Sequence, residues 1–248
     1  MRTRMKIKDK IAMVTGASSG IGRALAKLFS EKGAKVALVA RSKEKLEALS
    51  KELPHSFAIP ADMTVKADIE RAVRKLTDRF GGIDILVNNA GRGYDAPVEK
   101  IDADKFRRIF ELNVLGPITA MQLVIPVMRI RGGGMIVNVS SGTALMYLPN
   151  MSPYSSSKRA LAGITLTARE ELKKDNIRVS VVYPFITDTD FEKNTIKEFI
   201  DEEDAESGER LRADTPEYIA GKICKGIEKE EAEIFAHDWM KDISGRVD

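Results

Sequence analysis

Residues Lys10–Gly22 read KIAMVTGASSGIG. The apolar run Lys10–Thr15 leads into glycines at 16, 20 and 22, and Ile21–Lys32 then has helical spacing up to Gly33. The run predicts a buried strand, the glycines a tight turn, and the periodic segment an amphipathic helix. A glycine-rich turn between strand and helix lets backbone amides approach a pyrophosphate, and the helix N-terminus adds partial positive charge. No Gly-Lys-Ser/Thr follows, which excludes the P-loop, and the spacing also differs from the ordinary G-x-G-x-x-G. A plain strand–helix turn has the same local look, so the neighbouring elements decide.

Outward from this turn, strands and helices alternate. Lys35–Ala40, Phe57–Pro60, Ile83–Asn88, Met135–Val139 and Ile177–Tyr183 read as strands. Helices are expected from a Ser42 cap to Leu53, from Thr64 to about Gly81, over Ala103–Ile130 with kinks near Pro117 and Pro126, and over Tyr154–Lys174. Thr215 caps a helix to about Lys229 with Pro216 at its first position, and Ala232–Ala236 is a last short strand. The alternation predicts an α/β fold: a single Rossmann-type, doubly wound parallel sheet of about seven strands flanked by helices. Such sheets bind ligands beyond the carboxyl ends of their strands. The expected organisation is a basic tail (1–9) and one domain (10–248). An insertion at about 190–214 breaks the alternation, with ten acidic and four basic residues.

Composition narrows the function. The 248 residues are 43% hydrophobic and 31% charged, which excludes low-complexity disorder. The net charge of +3 is local: residues 1–10 hold five basic residues and one acid, and the remaining chain is close to neutral. A nucleic-acid partner calls for basic residues spread over a face, so none is expected. No apolar run is read as long enough to span a membrane, and the N-terminus lacks the apolar stretch of a signal peptide. Cys224 is the one cysteine and can form no internal disulfide, which fits a cytoplasmic setting. His55 and His237 have no metal-ligand spacing, so no metal site is expected.

In doubly wound sheets the nucleotide is chosen at the end of the second strand, where an acid binds the ribose 2′-hydroxyl and repels a 2′-phosphate. Here that strand ends Ala40-Arg41-Ser42. Arg41 offers a planar fork for phosphate oxygens and Ser42 a hydroxyl, so NADP (NADPH) is expected rather than NAD. The turn itself holds Ser18 and Ser19 and no second basic residue. The plainer alternative is a solvated arginine opening a charged helix.

Tyr154 and Lys158 stand four positions apart on an expected helix, hence on one face. A free tyrosine titrates near ~10. Bringing it to neutrality takes about 4 kcal/mol of preferential stabilisation of phenolate, part of which a nearby ammonium supplies. Such a group could exchange a carbonyl proton. Alone, the pair would be an ordinary surface contact.

It is not alone. T-G-A-S-S-G-I-G at Thr15–Gly22, N-N-A-G at Asn88–Gly91, Asn113 in a helix, VNVSS at Val137–Ser141 and Tyr154-Ser-Ser-Ser-Lys158 occur in order. Together they resemble the short-chain dehydrogenase/reductase family in its core, non-extended form, over roughly residues 8–190. The resemblance implies an oxidoreductase that moves hydride between a nicotinamide and a carbonyl or secondary alcohol. It implies that Ser141 hydrogen-bonds the carbonyl oxygen and that Tyr154 is the acid in reduction and base in oxidation. Lys158 would lower the tyrosine pKa and hold the nicotinamide ribose, and Asn113 would position a proton-relaying water. The cofactor would rest on Gly16, Ser18, Ser19, Gly20, Ile21 and Gly22. It would also touch Arg41, Asp62 and Met63, then Asn89, Ala90 and Gly91, and near the nicotinamide Pro184, Thr187 and Thr189. Ser140 would be structural.

The family usually has Pro-Gly after its sixth strand, where this chain has Pro184-Phe185; the aromatic ring is expected to narrow the pocket or wall it. The pocket would draw on Arg92, Tyr94, Leu145, Met146, Tyr147, Met151, Phe185 and Phe191. This mostly apolar set implies a hydrophobic small-molecule ketone, aldehyde or alcohol. The acidic insertion, if it closes over the site, would disfavour anionic substrates. Family members pair their long helices, so a homodimer or homotetramer is expected. The alternative function is a noncatalytic NAD(P) sensor on the same fold. A third, epimerase or dehydratase chemistry, is disfavoured by the lack of a sugar-nucleotide domain.

Overall fold

The computed structural model describes residues 5–198 and 212–243. The strand before the glycine turn, β1 (Ile11–Thr15), is buried along its whole length. An apolar strand of this kind needs partners on both edges and cover on both faces. Both are present. The remaining strands are β2 (Lys35–Ala40), β3 (Ser56–Pro60), β4 (Ile85–Asn88), β5 (Tyr94–Asp95), β6 (Gly134–Val139), β7 (Ile177–Tyr183), β8 (Ile196–Lys197) and β9 (Glu233–Phe235). Seven form one sheet in the order β3-β2-β1-β4-β6-β7-β9, and every pairing is parallel. The order reverses at β1, whose neighbours are β2 and β4, and this is where such sheets open a crevice.

The helices are α1 (Gly20–Glu31), α2 (Lys43–Glu52), α3 (Lys66–Phe80), α4 (Ala103–Phe110), α5 (Gly116–Ile130), α6 (Ser152–Glu171), α7 (Pro216–Lys229) and α8 (Trp239–Ile243). Side chains alternate between faces along a strand, and the two faces gather separate cores. Ala12 and Val14 pack with Leu25 and Phe29 of α1, Leu46 of α2 and Ile223 of α7. Ile11 and Met13 pack with Ile69 and Leu76 of α3 and Val124 of α5. This is the doubly wound sheet expected from the alternation.

Several details differ from expectation. The long helix is interrupted by a π-helical turn at Glu111–Leu115 and not at its prolines. Pro117 falls in the first turn of α5, where a missing N–H costs little, and Pro126 lies within α5. Gly116 sits against the loop after β3, where a Cβ would lie 2.3 Å from the Met63 carbonyl oxygen. Together α4, the π turn and α5 make 28 residues that, by length and composition, could cross a membrane, contrary to the expectation that no such run exists. This stretch has its apolar residues spread over the helix with polar and small residues between them, so no continuous apolar run of spanning length stands in the sequence. In the fold its inner side, including Met121, Val124 and Met128, is buried in the core. Ser42 stands at the start of α2 but makes no side-chain capping bond. The two-residue strands β5 and β8 pair in parallel as a separate sheet, too short to show periodicity. Residues 1–4 of the basic tail and 199–211 of the acidic insertion lie outside the described residues.

The N-terminal edge of the sheet is fastened by Asp84. Its carboxylate accepts the Ile11 amide at 2.9 Å and pairs with Arg131 at 2.9 and 3.2 Å. Removing one member of a largely buried pair strands the other. Asp84→Ala should cost about 3 kcal/mol in urea unfolding, whereas a loss below about 1 kcal/mol would show that the pair is dispensable.

Candidate active site

The glycine turn is held by a threonine and an asparagine. Thr15 Oγ1 accepts the amides of Asn89 and Ala90, each at 3.0 Å, and donates to the Val87 carbonyl at 3.3 Å. Asn89 Nδ2 returns the bond to the Thr15 carbonyl at 3.0 Å. The ends of β1 and β4 are thus laced across the switch point. Gly16 and Gly20 have positive φ, and a Cβ on Gly22 would lie 2.3 Å from the Gly16 oxygen, so the turn admits no side chain there. Ser19 precedes α1 without a capping bond, which leaves the first-turn amides without a side-chain acceptor. Such a cradle fits a pyrophosphate.

Two elements bring the catalytic candidates together. Helix α6 carries Tyr154 and Lys158 one turn apart, with Lys158 Nζ 5.8 Å from the Tyr154 ring centre. The turn after β6 carries Ser141, which shares a hydrogen bond with the Tyr154 hydroxyl and accepts the Thr143 hydroxyl at 3.0 Å. Ser140 Oγ donates to the Lys158 carbonyl at 2.9 Å and so ties β6 to α6, the structural part expected of it. Lys158 Nζ donates to the Val139 carbonyl at 2.9 Å.

Asn113 is fully buried in the π turn. It accepts the Arg92 amide at 3.0 Å and donates to the Arg92 carbonyl at 2.9 Å and to Ser157 Oγ at 3.1 Å. Gly91 lies between Asn113 and Lys158, and a Cβ there would be 3.1 Å from both Oδ1 and Nζ. The structure therefore gathers Ser141, Tyr154, Lys158 and Asn113 around the ends of β4 and β6.

Burial governs their titration. It pushes the Tyr154 phenol above its ordinary value, partly offset by the Ser141 hydrogen bond and reinforced by the Asp95 charge. The same desolvation brings Lys158 down to about 8. In the protein alone, desolvation thus outweighs the lowering of the tyrosine pKa expected from Lys158.

The other sequence-selected residues fall as follows. Arg41 is exposed just beyond β2 and makes no hydrogen bond or ion pair with the described residues. Asp62 and buried Met63 follow β3, with Asp62 Oδ1 accepting the Thr64 hydroxyl and amide. Pro184, Thr187 and Thr189 leave β7 at the same edge, and a Cβ on Gly20 would meet the Thr189 methyl at 2.9 Å. Beside them a cavity of about 670 Å³ runs between α1, α7 and the loop after β7; it borders Gly20 and Thr189, not Tyr154.

Phe185 turns away toward the C-terminal segment, edge-on to Trp239 at 5.1 Å and against Gly142. Tyr94 is fully buried, with its hydroxyl accepting the Asp102 amide, so it does not line a pocket. Tyr147 is 78% exposed under the Arg159 guanidinium. Phe191 packs on the Tyr154 ring at 5.5 Å.

Some positioning residues had escaped the motifs. Buried Asn88 and Asn138 are cross-strand partners bonded at 2.8 Å, and Asn138 donates to Thr165 of α6 at 2.9 Å. Asn88 and Asn138 lie inside the N-N-A-G and VNVSS motifs, whose spacing does not show that the two side chains meet across strands. Arg159 holds the Ala144 and Met146 carbonyls at 2.8 and 2.7 Å, fixing the loop between Ser141 and Tyr154. His237, read as incidental, bonds Asp214 at 2.9 Å and stacks between Tyr218 and Trp239. The Asp214 backbone in turn pairs with Ile186 and Asp188, so His237 anchors the loop after β7. Among the described residues no His, Cys, Asp and Glu cluster could hold a metal.

The chain is similar to known proteins in sequence and fold. A family profile described as short chain dehydrogenase matches residues 10–199. An uncharacterized oxidoreductase of Staphylococcus epidermidis is 31% identical over 191 residues, 77% of this chain and 83% of the relative. The crystal structure of 3-ketoacyl-(acyl-carrier-protein) reductase from Brucella melitensis complexed with NADH aligns with a TM-score of 0.83 at 29% identity, covering 92% of this chain and 97% of that one. L-Sorbose reductase from Gluconobacter frateurii, complexed with NADPH and L-sorbose, aligns at 0.82 with 28% identity over 93% and 97% of the two chains.

Burial of Lys158 makes a pH prediction. Its folded value of about 8 lies below the ordinary 10.5, so the folded chain gives up that proton first. The penalty for burying the charge is full below pH 8 and fades as the pH rises. Tyr154 is shifted upward and does not contribute below its ordinary 10. Between pH 8 and 10 the unfolding free energy of the ligand-free protein should rise by about 2–3 kcal/mol relative to Lys158→Met. Parallel curves for the two proteins would contradict the burial of a strained lysine.

Proposed function

We propose a reaction for this chain, which belongs to the short-chain dehydrogenase family: NADP(H)-dependent reduction of a carbonyl, or oxidation of the corresponding secondary alcohol. The observation that carries it is the convergence of Ser141, Tyr154, Lys158 and Asn113 at one edge of the sheet, beside a glycine turn with no room for side chains. When bound, the nicotinamide supplies the hydride. The chain's residues do the rest. The first-turn amides of α1 and Gly16–Gly22 hold the pyrophosphate. Arg41, uncommitted to other described residues, pairs with a 2′-phosphate. Asp62 and Met63 flank the adenine, Asn89–Gly91 support the sugar, and Pro184, Thr187 and Thr189 close on the nicotinamide end.

Ser141 donates a hydrogen bond to the carbonyl oxygen as negative charge develops on it. Tyr154, kept protonated by burial, gives that oxygen its proton in reduction and takes it back in oxidation. Lys158, with its pKa near 8, stabilises the phenolate left behind and binds the ribose hydroxyls. Asn113 holds the Arg92 backbone and Ser157, and so fixes the wall through which the proton is resupplied. The substrate is a small molecule with a hydrophobic body. One neighbour is named for a ketone carried on acyl-carrier protein and one for L-sorbose, so related folds take both apolar and hydroxylated ketones. The chain functions as one domain, 10–248, in a homodimer or homotetramer. The sensor reading is less well supported, because the four residues that a sensor has no use for are assembled.

Loss of absorbance at 340 nm across a panel of ketones and aldehydes, with NADPH and NADH in parallel, tests the reading. Tyr154→Phe should lower kcat by about 10²–10⁴ with NADPH affinity retained. A protein that binds NADPH, reduces nothing in the panel and is unaffected by Tyr154→Phe is the sensor instead. Arg41→Ala should shift the NADPH-over-NADH preference by at least about tenfold toward NADH, the equivalent of one charged hydrogen bond; an unchanged preference removes Arg41 from nucleotide choice.

A further inference from the structure

The short strand β5 turns its two sides to different surroundings. Tyr94 and the following Ala96 are fully buried with Ile109 of α4, and Ile196 of β8 packs onto them. Because side chains alternate along a strand, Asp95 and its cross-strand partner Lys197 occupy the opposite side. That side looks toward the catalytic candidates. The Ala96 amide donates to the Asn150 carbonyl at 2.7 Å, which holds the strand beside the start of α6. Phe191, a few residues ahead of β8, lies on the Tyr154 ring, and the Asp95 charge is felt at the Tyr154 phenol.

Asp95 is poorly provided for. Its Oδ1 is buried and has no hydrogen-bond partner among the described residues. Lys197 opposes it, but the Lys197 ammonium pairs with Glu192 at 3.4 Å. Burial pushes the Asp95 carboxyl above its ordinary value. A buried acceptor without a donor is costly, and native proteins seldom leave one so. The unused oxygen points to a donor that the described residues do not supply. Phe191 on the Tyr154 ring makes part of that wall apolar, with Asp95 and Lys197 as charged points beside it.

We propose that Asp95 is a substrate-recognition residue, whose carboxylate accepts a hydrogen bond from a hydroxyl or ammonium group carried next to the reacting carbonyl. The assignment rests on the carbonyl-reductase reading above and deepens it: the preferred substrate is an α-hydroxy or α-amino ketone with an otherwise apolar body. A ketone without the donor leaves Asp95 buried and unpaired in the complex, which is how a polar site rejects an apolar analogue.

The test compares kcat/KM for 2-hydroxyacetophenone and for acetophenone with NADPH in the wild-type protein, Asp95→Asn and Asp95→Leu. Taking the ratio of the two ketones in each protein cancels their intrinsic reactivity, and NADPH fluorescence titration reports that each variant is folded. The ratio should fall at least about tenfold in Asp95→Leu, with Asp95→Asn between the two. An unchanged ratio overturns the assignment. A binding measurement separates this from failure of the reductase reading. With NADP⁺ present, 2-amino-1-phenylethanol should raise the melting temperature of the wild-type protein more than 1-phenylethanol does, and Asp95→Leu should erase the difference. Equal shifts in the wild-type protein overturn the role of Asp95 whether or not any ketone turns over.

Discussion

The lacing of β1 to β4 by Thr15 and Asn89 is the contact on which the rest of the site depends. One hydroxyl accepts two consecutive amides, Asn89 and Ala90, and one side-chain amide returns to the Thr15 carbonyl. A parallel sheet ends its strands at a common edge but does not say how far apart the emerging chains will stand. At the switch point the chains diverge, α1 to one face and the Asn89–Gly91 segment to the other, and without a tie the crevice would have no fixed width. The lacing sets that width. It also explains why Gly22 must be glycine: the close approach of Asn89 Nδ2, 2.5 Å from where a Cβ would stand, is a consequence of the same bond.

A second set of buried polar contacts carries that fixed edge to α6. Asn88 meets Asn138 across neighbouring strands, Asn138 reaches Thr165, and Ser140 holds the Lys158 carbonyl. Each is a polar group in the interior, where it is expensive unless paired. Pairing within the sheet and onto one helix sets the angle and height of α6, and therefore where Tyr154 and Lys158 stand relative to Ser141. Desolvation then does the chemical preparation. Tyr154 is held in its acid form and Lys158 is brought to a pKa near neutrality. Under the proposed reaction the two are poised before any ligand arrives, and a positive charge brought by oxidised cofactor would favour the phenolate further.

Much of this was legible in the sequence because it is periodic or punctuated. Lys35–Ala40 and Ile177–Tyr183 have the same limits in the structure as in the sequence reading, and Thr215-Pro216 opens α7 with the Thr215 hydroxyl accepting the Tyr218 amide. Uninterrupted apolar runs can only be buried strands, and a Thr-Pro pair has few other uses. What was not legible depends on contacts distant in sequence. Nothing in ELNVL announces a π turn; it forms where Asn113 must reach the Arg92 backbone, 21 residues away. Tyr94 and Phe185 follow motif positions that suggest a pocket, yet alternation sends Tyr94 into a small core and the C-terminal aromatic group draws Phe185 aside. His237 looked incidental because Asp214 and Tyr218 stand well before it in the sequence, Asp214 by 23 residues, and no motif links them to it.

Charge makes the same point in another form. The net charge of +3 comes from a ten-residue terminus and says nothing about the site. Three single side chains carry the electrostatics of the proposed reaction, and their surroundings differ. Arg41 stands in solvent and is uncommitted to other described residues, so a charged hydrogen bond to a 2′-phosphate would set the nucleotide preference. Lys158 is buried and Asp95 half-buried, where the same unit charge acts at greater strength. The Asp95 anion opposes ionisation of the Tyr154 phenol, whereas a cation beside a phenol, the part proposed for Lys158, favours it. A substrate donor that occupies Asp95 would therefore do more than add affinity. By neutralising part of the opposing field, it would ease release of the Tyr154 proton at the moment a ketone is in place to receive it.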